Sequence, residues 1–180
     1  MIAESMTIEI DAQRALITRA MAGDEVAFAR IVAAHHGGMA RIAYLICGSL
    51  DVAEEAEQAA WAKAWRRLGD VRDPAALRPW LMSVAANEAR QIMRGQRRRT
   101  VRELAVGAPP STAGVDRAAV MDLAAALAKL DTRDRAIIGL RYIGGLESAE
   151  IGRAVGMSAS GVRVRLHRLL GRLRKELGDE

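Results

Sequence analysis

Disulfides, membrane spans and export signals are the first features that this sequence lacks. Cys47 is the single cysteine among 180 residues, which excludes an internal disulfide and a multi-cysteine metal site. No uninterrupted apolar run approaches the roughly 20 residues that a membrane-spanning helix needs. The amino-terminal stretch has neither a basic start nor an apolar core, so it is not a secretory signal. These absences predict a protein of the reducing cytoplasm with no membrane contact of its own.

Residues that could carry out catalysis or hold a metal are also scarce. The only histidines are His35, His36 and His167, and together with Cys47 their spacing matches no zinc pattern. The sequence has no glycine-rich phosphate loop, no nucleophile elbow and no paired catalytic carboxylates. We therefore predict no catalytic site, no metal and no cofactor, and we expect His35 to be a packed core residue.

Proline is confined to one part of the chain, which divides the rest into two segments. All four prolines lie between residues 74 and 110. On both sides the apolar residues recur at steps of three and four, without sustained alternation, which is typical of helices. The predicted fold class is therefore all-α, with small helical domains at 10–98 and 117–178. Residues 99–116, rich in Pro, Gly, Ser and Thr, predict a flexible linker.

Two local patterns in the first domain predict where helices begin and bend. Asp51, followed by Glu54 three residues later, predicts the N-cap of a helix over 51–68. Gly37 and Gly38 interrupt the preceding apolar stripe and predict a bend or break there.

Lysine is nearly absent, and the basic residues are unevenly distributed. Arginine accounts for 24 of the 27 basic side chains. Residues 1–60 carry four basic and nine acidic side chains, whereas residues 61–110 carry eleven and four. An acidic front followed by basic segments suggests two kinds of partner, one of them a polyanion. An ordinary solvated surface would explain the composition equally well, so composition alone leaves both interpretations open.

The strongest signal lies near the carboxyl terminus. Asp131 predicts a helix N-cap, Gly156 a tight turn, and Ser158 the cap of a last helix that runs to about Leu177. Two helices joined by a short glycine-containing turn form the helix-turn-helix layout. Residues 158–175 contain six basic side chains and no acidic one. This pattern favours binding in a DNA major groove over a merely solvated amphipathic helix. The predicted packed face consists of Val162, Leu166, Leu169, Leu173 and Leu177.

At this point several motifs resemble the extracytoplasmic-function (ECF) class of bacterial RNA polymerase sigma factors, in the sigma-70 family. The region-four motifs are Leu140–Leu146, Glu150-Ile151, Val155–Ser158 and Val162–Leu166. The region-two motifs are Ala22–Asp24, Ala27-Phe28, Ala53–Glu55, Gln58, Lys63–Leu68, Trp80-Leu81, Val84-Ala85 and Asn87. Their order and spacing match the class over about residues 15–177.

The resemblance implies three binding surfaces and assigns residues to each. Contacts with the RNA polymerase core enzyme are implied for Glu54, Glu55, Gln58, Trp61 and Trp65. Contacts with the single-stranded non-template strand of the minus-ten promoter element are implied for Val71, Trp80, Asn87, Arg90, Arg94 and Arg97. Contacts with the minus-thirty-five duplex are implied for Ser158, Ser160, Arg163, Val164, Arg165, His167 and Arg168.

The resemblance also implies an anti-sigma factor as a further partner, and other interpretations remain. A sigma mimic that binds an anti-sigma factor without binding DNA would share the acidic front half. A stand-alone helix-turn-helix regulator would share the second domain but leave the first 100 residues unexplained. For Trp61 and Trp65, which share an apolar face, core packing is favoured over base stacking.

Overall fold

A computed structural model describes the backbone of residues 2–99 and 117–178, and the side chains of residues 11–96 and 121–178. Helices account for most of the described residues, which confirms the all-α class. In chain order they are α1 Ile2–Met21, α2 Glu25–Cys47, α3 Leu50–Arg67, α4 Leu77–Arg99, α5 Arg117–Ala128, α6 Thr132–Tyr142, α7 Ser148–Val155 and α8 Ala159–Leu177. None of these helices is long and apolar enough to cross a membrane. The predicted linker lies almost entirely outside the described residues.

Helices α2, α3 and α4 pack against one another and form the amino-terminal group. Helix α2 runs without interruption through Gly37 and Gly38, so the predicted break there is wrong, and a bend stays a prediction. A Cβ at Gly38 would lie 3.2 Å from the sulfur of Met82, which is a tight contact. The glycine therefore serves the close approach of α2 and α4.

The start of α3 differs from the prediction. Ser49, in an extended conformation, is the N-cap residue, and the helix begins at Leu50. Asp51 therefore lies inside the first turn, and its predicted role as N-cap is wrong. A carboxylate at that position still stabilises the positive end of the helix dipole.

Helices α5 to α8 form the carboxyl-terminal group, and its caps agree with the sequence. The Asp131 carboxylate accepts a hydrogen bond of 2.8 Å from the Asp134 amide at the start of α6. The Ser158 hydroxyl accepts one of 3.1 Å from the Gly161 amide at the start of α8. On α8 the predicted packed face is buried except for Leu177, which is 37% exposed at the helix end.

The two groups contact each other through α6 and α7. Helix α6 packs against α2 and α4, and α7 packs against α4. At Gly139 of α6 a Cβ would lie 3.2 Å from Leu45 of α2, so the two helices approach closely there. Buried residues from both groups form one continuous apolar cluster. The two predicted domains therefore share an interface, which the sequence analysis did not anticipate.

Candidate nucleic-acid interface

Helix α8 separates an apolar side from a cationic side. Its buried stripe consists of Val162, Leu166, Leu169 and Leu173. The residues that point away from this stripe are exposed and include Ser160, Arg163, Val164, His167, Arg168, Arg172, Arg174 and Lys175. None of these residues is acidic, so this side presents positive charge to solvent. The one acidic residue of α8, Glu176 in the last turn, pairs with Lys129 of α5.

The turn before α8 is held at fixed geometry by contacts from α6. Gly156 ends α7 with φ +71°, a left-handed conformation that favours glycine. The Arg133 guanidinium donates hydrogen bonds of 3.1 and 3.0 Å to the carbonyl oxygens of Val155 and Gly156. A Cβ at Gly152 would lie only 2.5 Å from the Met157 carbonyl oxygen, so α7 requires glycine at this position. The result is a rigid helix-turn-helix that presents α8.

Arg165 differs from the other arginines of α8, because its guanidinium is paired with a buried carboxylate. Its Nε and Nη2 donate hydrogen bonds of 2.7 Å to the two carboxylate oxygens of Asp134, whose side chain is 2% exposed. This hydrogen bonding, with the charge of Asp134, raises the pKa of Arg165 further above its ordinary value. Asp131 lies 3.7 Å away. This geometry favours a positioning role for Arg165 in tying α8 to α6. Its predicted contact with DNA stays untested.

Ser158 is similarly engaged within the turn, since its hydroxyl caps α8 and lies 3.1 Å from the Ser160 hydroxyl. Of the predicted minus-thirty-five residues, Ser160, Arg163, Val164, His167 and Arg168 lie together on the exposed side of α8. The structure thus brings these five residues to one surface and places Arg165 at its edge.

The predicted strand-binding face of α4 lies beneath α7. Trp80 and Asn87 are half-buried and line a cavity of ≈ 350 Å³ that Glu150 and Arg153 of α7 complete. Arg90 donates a hydrogen bond of 3.2 Å to the Ala154 carbonyl oxygen of α7.

The surroundings of Arg90 affect both its pKa and its contacts on α4. Burial, reinforced by the charges of Arg94 and Arg133, lowers the pKa of Arg90 from its ordinary value. Its Nη1 also lies 3.4 Å from the Asn87 side-chain oxygen. Arg94 is exposed, whereas the side chain of Arg97 lies outside the described residues.

Val71 occupies a different environment from the other predicted strand-binding residues. It is 8% exposed and belongs to the apolar cluster. In this arrangement its side chain supports the segment between α3 and α4 instead of presenting a surface to a nucleobase.

The third predicted surface lies on α3. Glu54, Glu55 and Gln58 are exposed on one side of the helix. Glu57 is instead buried, with its carboxylate 2.5 Å from His36 Nδ1. The same carboxylate oxygen accepts a hydrogen bond of 3.2 Å from the indole nitrogen of Trp61, one turn later on α3.

The tryptophans of α3 pack against Phe28 of α2. The ring centroids of Phe28 and Trp61 are 5.9 Å apart and those of Phe28 and Trp65 are 4.7 Å apart, both edge to face. Trp61 is half-buried and Trp65 is 39% exposed. Packing therefore occupies much of both rings, while one edge of Trp65 stays accessible to a partner.

Arg78 is an interface residue that the sequence analysis missed. Its guanidinium donates hydrogen bonds of 2.6 and 2.9 Å to the carbonyl oxygens of Gly144 and Ile143 at the end of α6. These partners lie more than 60 residues away and are backbone atoms, so no side-chain pattern in the sequence could reveal them.

Neither the histidines nor the cysteine form a metal site in the described part of the chain, where no cluster of three or more His, Cys, Asp or Glu side chains occurs. His35 is half-buried, and burial together with the charge of Arg78 lowers its pKa. Cys47 is buried, and burial raises the pKa of its thiol to about 11.

Comparison with known proteins adds a second, independent line of observation. The family described as sigma-70 region 2 matches residues 31–99, and the family described as sigma-70 region 4 matches residues 121–173. The two matched segments coincide with helices of the amino-terminal and carboxyl-terminal groups respectively.

Individual relatives align along most of the chain. NccH of Alcaligenes xylosoxydans xylosoxydans, an RNA polymerase sigma factor, is 30% identical over 172 residues, which cover 88% of this chain and 91% of that protein. SigL of Mycobacterium tuberculosis, an ECF RNA polymerase sigma factor, is 30% identical over 167 residues, covering 88% and 93%. RfaY of Xanthomonas campestris is 30% identical over 171 residues, but this chain spans only 43% of its length.

Two solved structures share the fold. The structure of CnrH in complex with the cytosolic domain of CnrY has a TM-score of 0.67 at 28% identity, and covers 94% of this chain and 99% of CnrH. RpoE from Bartonella quintana, solved with the anti-sigma factor NepR, has a TM-score of 0.72 at 22% identity and shows likeness of fold. From its matched regions, its relatives and its fold, the chain belongs to the sigma-70 family of RNA polymerase sigma factors, in the extracytoplasmic-function class.

Proposed function

We propose that this chain is a dissociable, non-catalytic specificity subunit of RNA polymerase that recognises a promoter and holds its opened strand. The observation that carries this proposal is the exposed, acid-free side of α8 on a rigid helix-turn-helix. A helix of this kind fits the major groove, where arginines can bind guanine edges and phosphates. Because the proposed partners, RNA polymerase and promoter DNA, are cytoplasmic in bacteria, we propose the same location for this chain.

The minus-thirty-five duplex is the proposed ligand of α8. Arg163 and Arg168 are both exposed on α8, where they can reach base edges or phosphates. Because phosphate contacts release counterions, binding should weaken steeply with salt. Arg165 and Ser158 serve this surface indirectly, by holding α8 to α6 and by capping it.

The opened non-template strand is the proposed ligand of α4. Asn87 offers both a donor and an acceptor, as reading a base edge requires. Trp80 lies in the same cavity, and Arg90 and Arg94 continue along the helix toward the basic end of α4. In the structure α7 forms one side of this cavity, so a strand bound along α4 would contact α7 or displace it.

The core enzyme is the proposed partner of α3. Glu54, Glu55 and Gln58 form an exposed acidic and polar surface that can meet basic side chains. The accessible edge of Trp65 adds apolar area beside it.

An anti-sigma factor is a further proposed partner. The support is that CnrH, 28% identical over almost the whole chain, was solved with the cytosolic domain of CnrY.

In vitro transcription tests the proposal. Purified core enzyme would be combined with this chain on a genomic promoter library, with core enzyme alone as the reference. We expect promoter-specific transcripts that depend on the added chain. A matched variant, Arg163→Ala combined with Arg168→Ala, should bind core normally but lose most of these transcripts. Transcripts no different from those of core enzyme alone would refute the proposal.

The sigma-mimic alternative makes a different prediction in the same experiment. A mimic would give no transcripts, and the double arginine variant would bind an anti-sigma factor unchanged. The acid-free exposed side of α8 argues against this alternative, since a mimic has no need for a cationic surface in this position.

A further inference from the structure

From Ser160 to Gly171, the exposed side of α8 has a crest that carries no arginine or lysine. At about 100° per residue, Val164 lies about 200° around the helix from Val162, almost opposite the buried stripe. Ser160 lies one turn earlier and Gly171 two turns later on the same line. We refer to Ser160, Val164 and Gly171 as the crest; all but Gly171 carry a side chain, and all three are exposed.

Cationic side chains border the crest on both sides. Helical geometry places Arg163 and Arg174 along one border and Arg168 and Arg172 along the other. Lys175, in the last turn beyond Gly171, lies close to the line of the crest. When a helix of this kind enters the major groove, its borders approach the phosphates of the two strands and its crest faces the base edges. The distribution of charge on α8 therefore places the crest against bases.

The crest is narrow enough to approach those bases closely. A Cβ built at Gly171 meets no atom within 4 Å, so the small residue is not required by packing within the protein. Ser160 is also small. Val164 is then the bulkiest of the three crest residues.

Val164 is apolar, which restricts what it can recognise. It is 51% exposed, and apart from Leu177 at the helix end it is the only large hydrophobic residue so exposed on α8. Its methyl groups can neither donate nor accept a hydrogen bond. Among the groups that base pairs present in the major groove, the C5 methyl of thymine is the apolar one.

We propose that Val164 selects a thymine at one base pair of the minus-thirty-five duplex, by packing against the C5 methyl group. This inference rests on the proposed function, because it assumes that α8 lies in the major groove of promoter DNA. It assigns one element of the promoter sequence to one side chain.

Replacement of thymine by uracil tests the inference, since uracil pairs identically and lacks only the C5 methyl. Holoenzyme reconstituted from the full chain and core enzyme would first select a preferred sequence from a randomised minus-thirty-five duplex. Each thymine on either strand of that sequence would then be replaced by uracil, one at a time, and the binding of each duplex measured.

For the wild-type chain we expect uracil at one position to weaken binding about three- to fivefold, the effect of one buried methyl group. With Val164→Ser the thymine and uracil duplexes should bind equally at that position. Val164→Thr, which keeps one methyl group, should retain part of the difference. Val26→Ser is the matched control, because Val26 is a 62% exposed valine on α2, and it should leave the full difference in place.

The outcomes separate this inference from the proposed function. If the holoenzyme selects a sequence but no thymine responds to uracil, or if the response persists in Val164→Ser, Val164 does not read thymine. If Val164→Ser instead weakens binding to core enzyme without altering base preference, the crest faces protein and the inference fails. If the holoenzyme selects no sequence at all, the proposed function itself fails.

Discussion

Arginine side chains in this protein have two different roles. Arg133 and Arg165 donate to oxygen atoms of the protein and hold the helix-turn-helix in shape. Arg163 and Arg168 extend from the same motif into solvent. Because guanidinium groups bind carbonyl, carboxylate and phosphate oxygens alike, only the structure distinguishes the two kinds.

For an exposed arginine the prediction concerns DNA. Arg163→Ala should weaken holoenzyme binding to a minus-thirty-five duplex by about 1–3 kcal/mol if Arg163 contacts a base. The loss should then depend on the base pair at one position. Titration against a set of singly substituted duplexes measures this. An equal loss on every sequence would identify Arg163 as a phosphate contact instead.

For a bound arginine the prediction concerns stability. Arg165→Ala would leave the buried carboxylate of Asp134 without its bidentate partner, and should lower the free energy of unfolding by about 1–3 kcal/mol. Urea unfolding followed by circular dichroism measures the change. Arg168→Ala, at an exposed position on the same helix, should change stability by less than about 0.5 kcal/mol. Equal losses in the two variants would contradict the positioning role.

Individual elements show which signals in a sequence are reliable. Asp131, Gly156 and Ser158 were predicted correctly as cap or turn residues, because each acts on backbone atoms no more than four residues away. Asp51 was predicted wrongly, since the N-cap is Ser49, two residues earlier. Gly38 was predicted to bend or break α2, but its small size allows α4 to pack closely at Met82. That contact depends on a residue far along the chain, so the local sequence gives no sign of it.

The same reasoning gives a prediction for the turn. Gly152→Ala would force a Cβ to within 2.5 Å of the Met157 carbonyl oxygen, so the turn must shift and stability should fall by about 1–3 kcal/mol. Thermal unfolding measures this, together with loss of duplex binding by the holoenzyme. The matched control is Gly37→Ala in α2, where nothing lies within 4 Å. Alanine there should stabilise the helix by about 0.5–1 kcal/mol.

A stabilised Gly152→Ala variant would mean that the contact between α7 and the turn is looser than the structure shows. Destabilisation by Gly37→Ala would mean that α2 requires glycine for a reason beyond the space available.

At the scale of the whole molecule, the sequence could predict two helical groups but not how they meet. Helical periodicity and the position of the prolines are local properties, and they identified both groups. The interface depends on Arg78 and Arg90, whose partners are backbone carbonyl oxygens more than 60 residues away. Backbone oxygens occur at every residue, so nothing in the sequence marks those that are bound.

The interface gives a prediction about shape. Arg78→Ala removes two hydrogen bonds between α4 and the end of α6, which should favour separation of the groups by about 1–2 kcal/mol. Small-angle scattering by the free chain should then report a larger radius of gyration. Arg72→Ala, an exposed arginine between α3 and α4, should leave the radius unchanged. An unchanged radius in Arg78→Ala as well would show that apolar packing alone holds the groups together.

The carbonyl oxygens that Arg78 and Arg90 bind are at or near the ends of α6 and α7. Such oxygens carry only partial negative charge, whereas each phosphate of a nucleic acid strand carries a full one. A strand that approaches α4 thus offers Arg90 a stronger acceptor than the one it gives up. If Arg90 binds the strand as proposed, exchange of the Ala154 carbonyl oxygen for a phosphate would supply part of the energy needed to separate the two groups.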